Sequence, residues 1–157
     1  MGYKTVTMPS PPDLATLLRM SLLAGLDAPS MTRLHSLLEC GQVNAGDCIR
    51  PRGDKTSALF IIDEGHVQLK MAGSPKPVAD LHRGDSFGLL SLLFPGEACI
   101  EAYAAESTKL IVLDASTLRM LEVSNPQLAL LIMRSIRQQL APIINKALPV
   151  ISRICLD

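Results

Sequence analysis

The chain is predicted to be α+β and mainly β: an antiparallel β-roll, or jelly-roll-like barrel, flanked by N-terminal helices and C-terminal helices. Three observations predict this. Short apolar runs of strand length recur from Val43 to Leu113, separated by Gly, Asn and Asp turns. Apolar residues at helical spacing fill the stretches on either side. Hydrophobic residues make up 48% of the 157 residues, with only 3% aromatic, so one domain can build an aliphatic core of Leu, Ile, Val and Met.

Residues 1–11 read as a flexible lead and 12–157 as a single domain, with helices over 12–40, the roll over 41–113 and C-terminal helices over 114–157. Pro12-Asp13 opens a helix that puts Leu14, Leu17, Leu18 and Leu22 on one face and ends at Gly25. A second begins at Pro29-Ser30, carries Met31, Leu34, Leu37 and Leu38, and is stopped by Gly41. From Gln42 the period changes. Val43, Ile49, 58–62, 66–71, 78–81, 99–104 and 109–113 read as strands, with Glu64-Gly65 as a hairpin turn. Asn44-Ala45-Gly46-Asp47 and Arg52-Gly53-Asp54 are turn sequences. Asp114 is suited to cap a helix over 115–123, and Ser124-Asn125-Pro126 to start a longer one reaching about Leu140. Pro142 is expected to interrupt it before a last helical stretch, 143–154, kinked at Pro149.

Fifteen Lys and Arg balance fifteen Asp and Glu. A neutral chain gives no broad basic surface for nucleic acid and no attraction to anionic membranes. No uncharged apolar run approaches the roughly 18–20 residues that span a bilayer, and the N-terminus has no run of signal-peptide length. A cytoplasmic protein without membrane insertion is expected. Cys40, Cys48, Cys99 and Cys155 form no C-x-x-C pair, so they are expected as buried thiols in a reducing compartment and not as a zinc or redox site.

The most informative segment is Gly84-Asp85-Ser86-Phe87-Gly88-Leu89-Leu90-Ser91-Leu92-Leu93-Phe94-Pro95-Gly96-Glu97. Its glycine pair lets backbone approach a ligand, and the short apolar helix after it offers free amides to an anion. No carboxylate follows Gly88 and no arginine follows Pro95. The frame of a phosphate cradle is present without its charged side chains.

The order of these motifs resembles the cyclic-nucleotide-binding domain family over roughly Leu22 to Leu140. Leu23-Ala24-Gly25-Leu26 is similar to the family's opening motif. Ala45-Gly46-Asp47-Cys48-Ile49 with Arg52-Gly53-Asp54 is similar to its glycine-marked strand turns. Phe60-Ile61-Ile62-Asp63-Glu64-Gly65-His66-Val67 resembles its central hairpin, and Gly84 to Gly88 the start of its phosphate-binding cassette. The resemblance implies an eight-stranded roll with an N-terminal helical bundle and a C-terminal helix. It also implies a glutamate after Phe-Gly that accepts from the ribose 2′-hydroxyl, and an arginine after proline that pairs the cyclic phosphate. Those positions hold Leu89 and Gly96, and Glu97 beside the second has the wrong sign. Two lost charge-assisted contacts weaken binding by about 3–6 kcal/mol, roughly a hundredfold to ten-thousandfold. The resemblance further implies that cassette and C-terminal helix move together on binding. With leucine in place of the polar grip, that coupling is expected to be held in one state.

The candidate ligand residues are Phe87, Gly88, Leu89, Leu90, Ser91, Gly96, Glu97, Ala98 and Cys99, with Arg83 as the first candidate for a replacement charge. Arg50 and Arg52 border a turn and read as solvated, and Ser91 and Cys99 read as small residues packed in the roll. His35, His66 and His82 are scattered. His66 has Gln68, and not a second histidine, two positions on, which fails the ligand pattern of a cupin-like metal enzyme. No catalytic residue, metal or cofactor is expected. On the long helix Leu128, Leu131 and Ile132 form one apolar stripe, and Ala129, Met133, Ile136 and Leu140 a second. One stripe suffices to pack on the roll. The second calls for a partner, either the final helical stretch or another subunit.

The sequence thus points to a non-catalytic regulatory or scaffolding module that has lost ordinary cAMP and cGMP binding and acts through protein contacts, a homodimer through the C-terminal helices among them. The alternative is a sensor that binds a cyclic nucleotide or another phosphate-bearing molecule in a non-standard way. No winged helix, channel segment or kinase segment is read in the chain.

Overall fold

The computed structural model describes residues 6–7, 17, 20, 23–71, 73–94 and 96–155, and for 6–7, 143–144 and 146–155 the backbone alone. Nine strands are described: β1 (Val6–Thr7), β2 (Glu39–Val43), β3 (Cys48–Arg50), β4 (Ala58–Glu64), β5 (Val67–Met71), β6 (Pro77–Leu81), β7 (Ser86–Phe87), β8 (Ile100–Ala104) and β9 (Thr108–Asp114). Four helices accompany them: α1 (Ala28–His35), α2 (Leu89–Leu93), α3 (Ala115–Ser124) and α4 (Pro126–Cys155). The strands form a five-stranded sheet, in order β1-β2-β9-β4-β7, and a four-stranded sheet, in order β3-β8-β5-β6. Every pairing is antiparallel. This is the expected mainly β architecture, a roll with flanking helices, built on eight strands from β2 onward.

Alternation along the strands divides the core in two. Val43, Ile49, Phe60, Ile62, Val67, Phe87, Ala102, Ala104, Leu110 and Val112 point into the roll and form one cluster. The intervening residues of β4 and β9, Leu59, Ile61, Ile111 and Leu113, join a second cluster with the helices. The run from Ala58 to Ile62 is continuously apolar because β4 is covered on both faces.

The second cluster also holds Leu17, Met20, Leu23, Met31 and Leu34 from the N-terminal region and Leu118, Leu121, Leu128, Ile132, Ile136 and Leu140 from α3 and α4. Leu14, Leu18 and Leu22 of the first expected helix lie outside the described residues. Asp27 caps α1, its carboxylate accepting from the Ser30 amide at 2.9 Å. Asp114 caps α3, accepting from the Thr117 amide at 2.8 Å. Asn125 Oδ1 accepts from the Leu128 amide at 3.3 Å at the start of α4.

Four expectations are corrected. Within the stretch read as a flexible lead, Val6 and Thr7 pair with Gln42 and Gly41. Gly41 therefore stops no helix. It is buried within β2, and α1 ends at His35, capped by Ser36, whose hydroxyl donates to the Arg33 carbonyl at 2.7 Å. Glu64-Gly65 is not a hairpin turn, because β4 and β5 belong to different sheets. The chain crosses there at Gly65, whose φ is 110°, and a Cβ would lie 2.5 Å from Thr108 Oγ1 and 2.7 Å from Thr108 Cα, so only glycine lets the corner close. Finally, α4 runs without a break through Pro142 and Pro149. Each proline deprives a carbonyl four residues back of its donor, those of Gln138 and Asn145. Both residues are exposed, so water can serve those carbonyls.

Candidate functional site

The site is built around a glycine that nothing else can replace. β7 pairs with β4 through Phe60↔Phe87 and Ile61↔Ser86, and the two phenyl rings stack with centroids 4.9 Å apart. Gly88 then turns the chain at φ 85°, with the Ala58 carbonyl oxygen where a Cβ would sit. From it starts α2, a single turn of five residues whose Leu89 and Leu92 are buried. A cavity of about 730 Å³ opens between this turn and strand β8.

Phe87, Gly88, Leu89, Leu90, Ser91, Gly96, Glu97, Ala98 and Cys99 all line this cavity. Arg83 does not; it is exposed outside the lining. Ser91 is half-buried and Cys99 exposed, so neither is packed away as the sequence suggested. Pro95 lies outside the described residues. The sequence reading missed Leu69, Leu81, Phe94, Ile100, Ala102 and Gln139 of α4, which complete the wall, and above all Arg50.

Arg50 is not a solvated turn residue. It is 6% exposed and lines the cavity. Its Nη2 donates to the Thr56 carbonyl at 3.1 Å, and its Nε lies 3.6 Å from Asp54 Oδ2. Nε is buried and makes no hydrogen bond among the described residues. The loop after β3 is stitched to the cassette's far end: the Gly53 amide donates to the Ala98 carbonyl at 2.9 Å, and the Ala98 amide to the Asp54 carbonyl at 2.8 Å. Arg50 itself pairs with Ala102 across β3 and β8. A guanidinium thus stands in the wall that also carries Gly96. At the rim, Glu97 is exposed and paired at 3.9 Å with the exposed Lys55, a contact that solvent screens. Asp85 accepts from the His82 amide at 2.9 Å.

The histidines are less scattered than the sequence implied. Pairing of β5 with β6 sets Gln68 opposite Asp80. His66 Nε2 lies 2.7 Å from Asp80 Oδ1 and stacks on His82 with ring centroids 4.5 Å apart. The hydrogen bonds from His66 and then Gln68 hold the Asp80 carboxyl below its ordinary value. Among the described residues no group of three or more His, Cys, Asp and Glu could hold a metal ion. Burial, and then the charge of Asp63, push the half-buried Cys40 thiol up to about 11. Cys155 lies where side chains are not described.

Of the residues expected on the interaction face of α4, Leu128, Ile132, Ile136 and Leu140 are buried in the chain's own core. Leu131 and Met133 are half-buried, while Leu130 is 60% exposed. Residues 143–154 continue the same helix, so they do not fold back over it. A groove of about 630 Å³ remains between Leu93 of α2 and Leu130, Met133, Arg134, Arg137, Leu140, Ala141 and Asn145 of α4.

A β-roll with a glycine-turned cassette over an internal cavity, and a long helix packed behind it, is the architecture that the sequence motifs implied. The sequence profile described as cyclic nucleotide-binding domain matches residues 41–124, more than half of the chain. This chain belongs to the cyclic nucleotide-binding domain family. It is 30% identical over 112 residues to a candidate potassium channel protein of Rhodopseudomonas palustris, covering 71% of this chain and 27% of that protein. It is 32% identical over 79 residues to a cAMP-dependent protein kinase regulatory subunit of Emericella nidulans, covering 50% of this chain and 19% of the subunit. It thus spans less than a third of either relative. Among solved structures, the catabolite activator protein of Thermus thermophilus superposes with a TM-score of 0.73 at 26% identity, covering 86% of this chain and 63% of that one. Among the described residues no helix is long and apolar enough to cross a membrane.

Proposed function

We propose that this domain is a non-catalytic regulatory module that has given up ordinary cAMP and cGMP recognition and acts through protein contacts. The observation that carries the reading is Leu89. It occupies the position the family resemblance gives to a ribose-binding carboxylate, and its side chain lies in the same apolar cluster as α4. Gly96, at the arginine position, offers no side chain to a phosphate, and the next residue is acidic. The groove beside α2 and α4, with Leu130 exposed in it, supports docking of a protein, a second copy of the chain included. The unbridged thiols Cys40, Cys48 and Cys99 favour a reducing compartment such as the cytoplasm.

Calorimetric titration with cAMP, cGMP and cyclic dinucleotides tests the first half of the reading. No saturable heat is expected with any of them at ligand concentrations up to about a millimolar. Stoichiometric binding of one of them at micromolar concentration would favour instead the alternative reading, a sensor that holds a phosphate-bearing ligand in a non-standard way.

A further inference from the structure

We propose that the roll cavity takes an organic monoanion with an apolar body, its carboxylate or comparable oxyanion seated on Arg50. The proposal rests on the reading that ordinary cyclic nucleotides are not the ligand. Arg50 is more than nine-tenths buried and lines the cavity, yet among the described residues its five N–H donors serve one hydrogen bond, to Thr56. Its Nε is buried without a hydrogen bond among the described residues, and its ion-pair partner Asp54 stands off at 3.6 Å. Nε, beside Asp54, is the one guanidinium nitrogen that is both buried and without a hydrogen bond among the described residues, so an oxyanion entering the cavity is met by the Nη groups, in charge-assisted hydrogen bonds.

The remaining lining selects the rest of the ligand. Leu69, Leu81, Phe87, Leu90, Ile100 and Ala102 give the cavity apolar walls. At about 730 Å³ it has the size of a small-molecule site. Asp85 and Glu97 are the other charged residues of the lining, and both are exposed. With Asp54 already beside Arg50, the guanidinium can offset at most one further negative charge, and only from a group that reaches it past the exposed carboxylates of the rim.

The test compares two fluorescent probes of nearly the same aromatic body, anilinonaphthalene sulfonate, an anion, and N-phenylnaphthylamine, which is neutral. The wild type is compared with the double variant Arg50→Met, Asp54→Asn, which removes both partners and leaves no lone buried charge. Thermal melting checks that the variant is folded. The expected result is that the sulfonate loses at least about tenfold in affinity while the neutral probe changes less than about twofold. Equal loss of both, no loss of either, or no sulfonate binding by the wild type overturns the proposal. A second arm needs only the wild type: decanoate should displace the bound sulfonate at concentrations at least about tenfold below those of decanol, and equal displacement overturns the proposal. Cyclic AMP is titrated separately. If it binds tightly the proposed function fails; if it stays silent while the probes show no charge preference, this inference alone fails.

Discussion

Leu89 is the residue at which chemistry and packing meet. It is 9% exposed, lines the cavity and belongs to the cluster that contains Leu128, Ile132 and Ile136. A carboxylate there would have to leave water for an aliphatic environment, so Leu89→Glu should lower stability at neutral pH by about 3 kcal/mol or more, read by urea denaturation. A melt indistinguishable from the wild type would show that this side chain can turn to solvent. Cys40 and Cys99 differ in the same local terms. Burial raises the Cys40 thiol to about 11, whereas Cys99 is exposed. Iodoacetamide at about pH 8 should therefore alkylate Cys99 well before Cys40, as peptide mass mapping would read; the reverse order would contradict the burial. Neither Arg50 nor the histidine cluster was legible in the sequence. Arg50 reads as bordering the Arg52-Gly53-Asp54 turn, and only the pairing of Arg50 with Ala102 and the hydrogen bonds that Ala98 accepts from Gly53 and donates to Asp54 set it in the cavity wall. His66 and His82 meet because β5 and β6 pair in a register that local spacing does not specify.

At the scale of elements, helix starts were the most legible feature, because their signals are local. Asp114 was recognisable as a cap from its place between an apolar strand and an amphipathic helix. Burial pushes its pKa up, but hydrogen bonds from the Ser116 hydroxyl at 2.6 Å and the Thr117 amide at 2.8 Å outweigh it and hold the carboxyl below its ordinary 3.8. A carboxyl depressed in the folded state adds stability that is present above the unfolded value and lost as pH falls through the folded one. Asp114→Ala should thus cost about 1 kcal/mol near pH 6, and the gap to the wild type should close as pH drops below 3.8. A gap that persists in acid would mean that the cap acts without its charge. Sheet membership was less legible than helix starts. Two apolar runs joined by Glu64-Gly65 look like a hairpin, but residues 58–62 are buried on both faces while β5 is largely half-buried. That difference in pattern was the available sign that the strands separate into two sheets.

At the scale of the whole molecule, α2 and α4 share one apolar cluster through Leu89, Leu92, Leu128, Ile132, Ile136 and Leu140. Gln139 of α4 reaches the cavity lining itself. If this packing holds the domain in a single state, amides of α4 between Leu131 and Leu140 should exchange slowly and show no change when cAMP is added. Fast exchange across that segment would show a helix that opens and closes freely.

On the proposed function, the cassette keeps the shape of a nucleotide site and lacks its charge. Gly96 offers the most direct test: a Cβ built there meets nothing within 4 Å, so Gly96→Arg restores a cation without disturbing the packing. Calorimetry of cAMP with the wild type and with this variant is the measurement. No detectable binding is expected with the wild type and saturable binding with Gly96→Arg, a gain of at least about tenfold. Tight binding by the wild type, unimproved by the arginine, would contradict that reading.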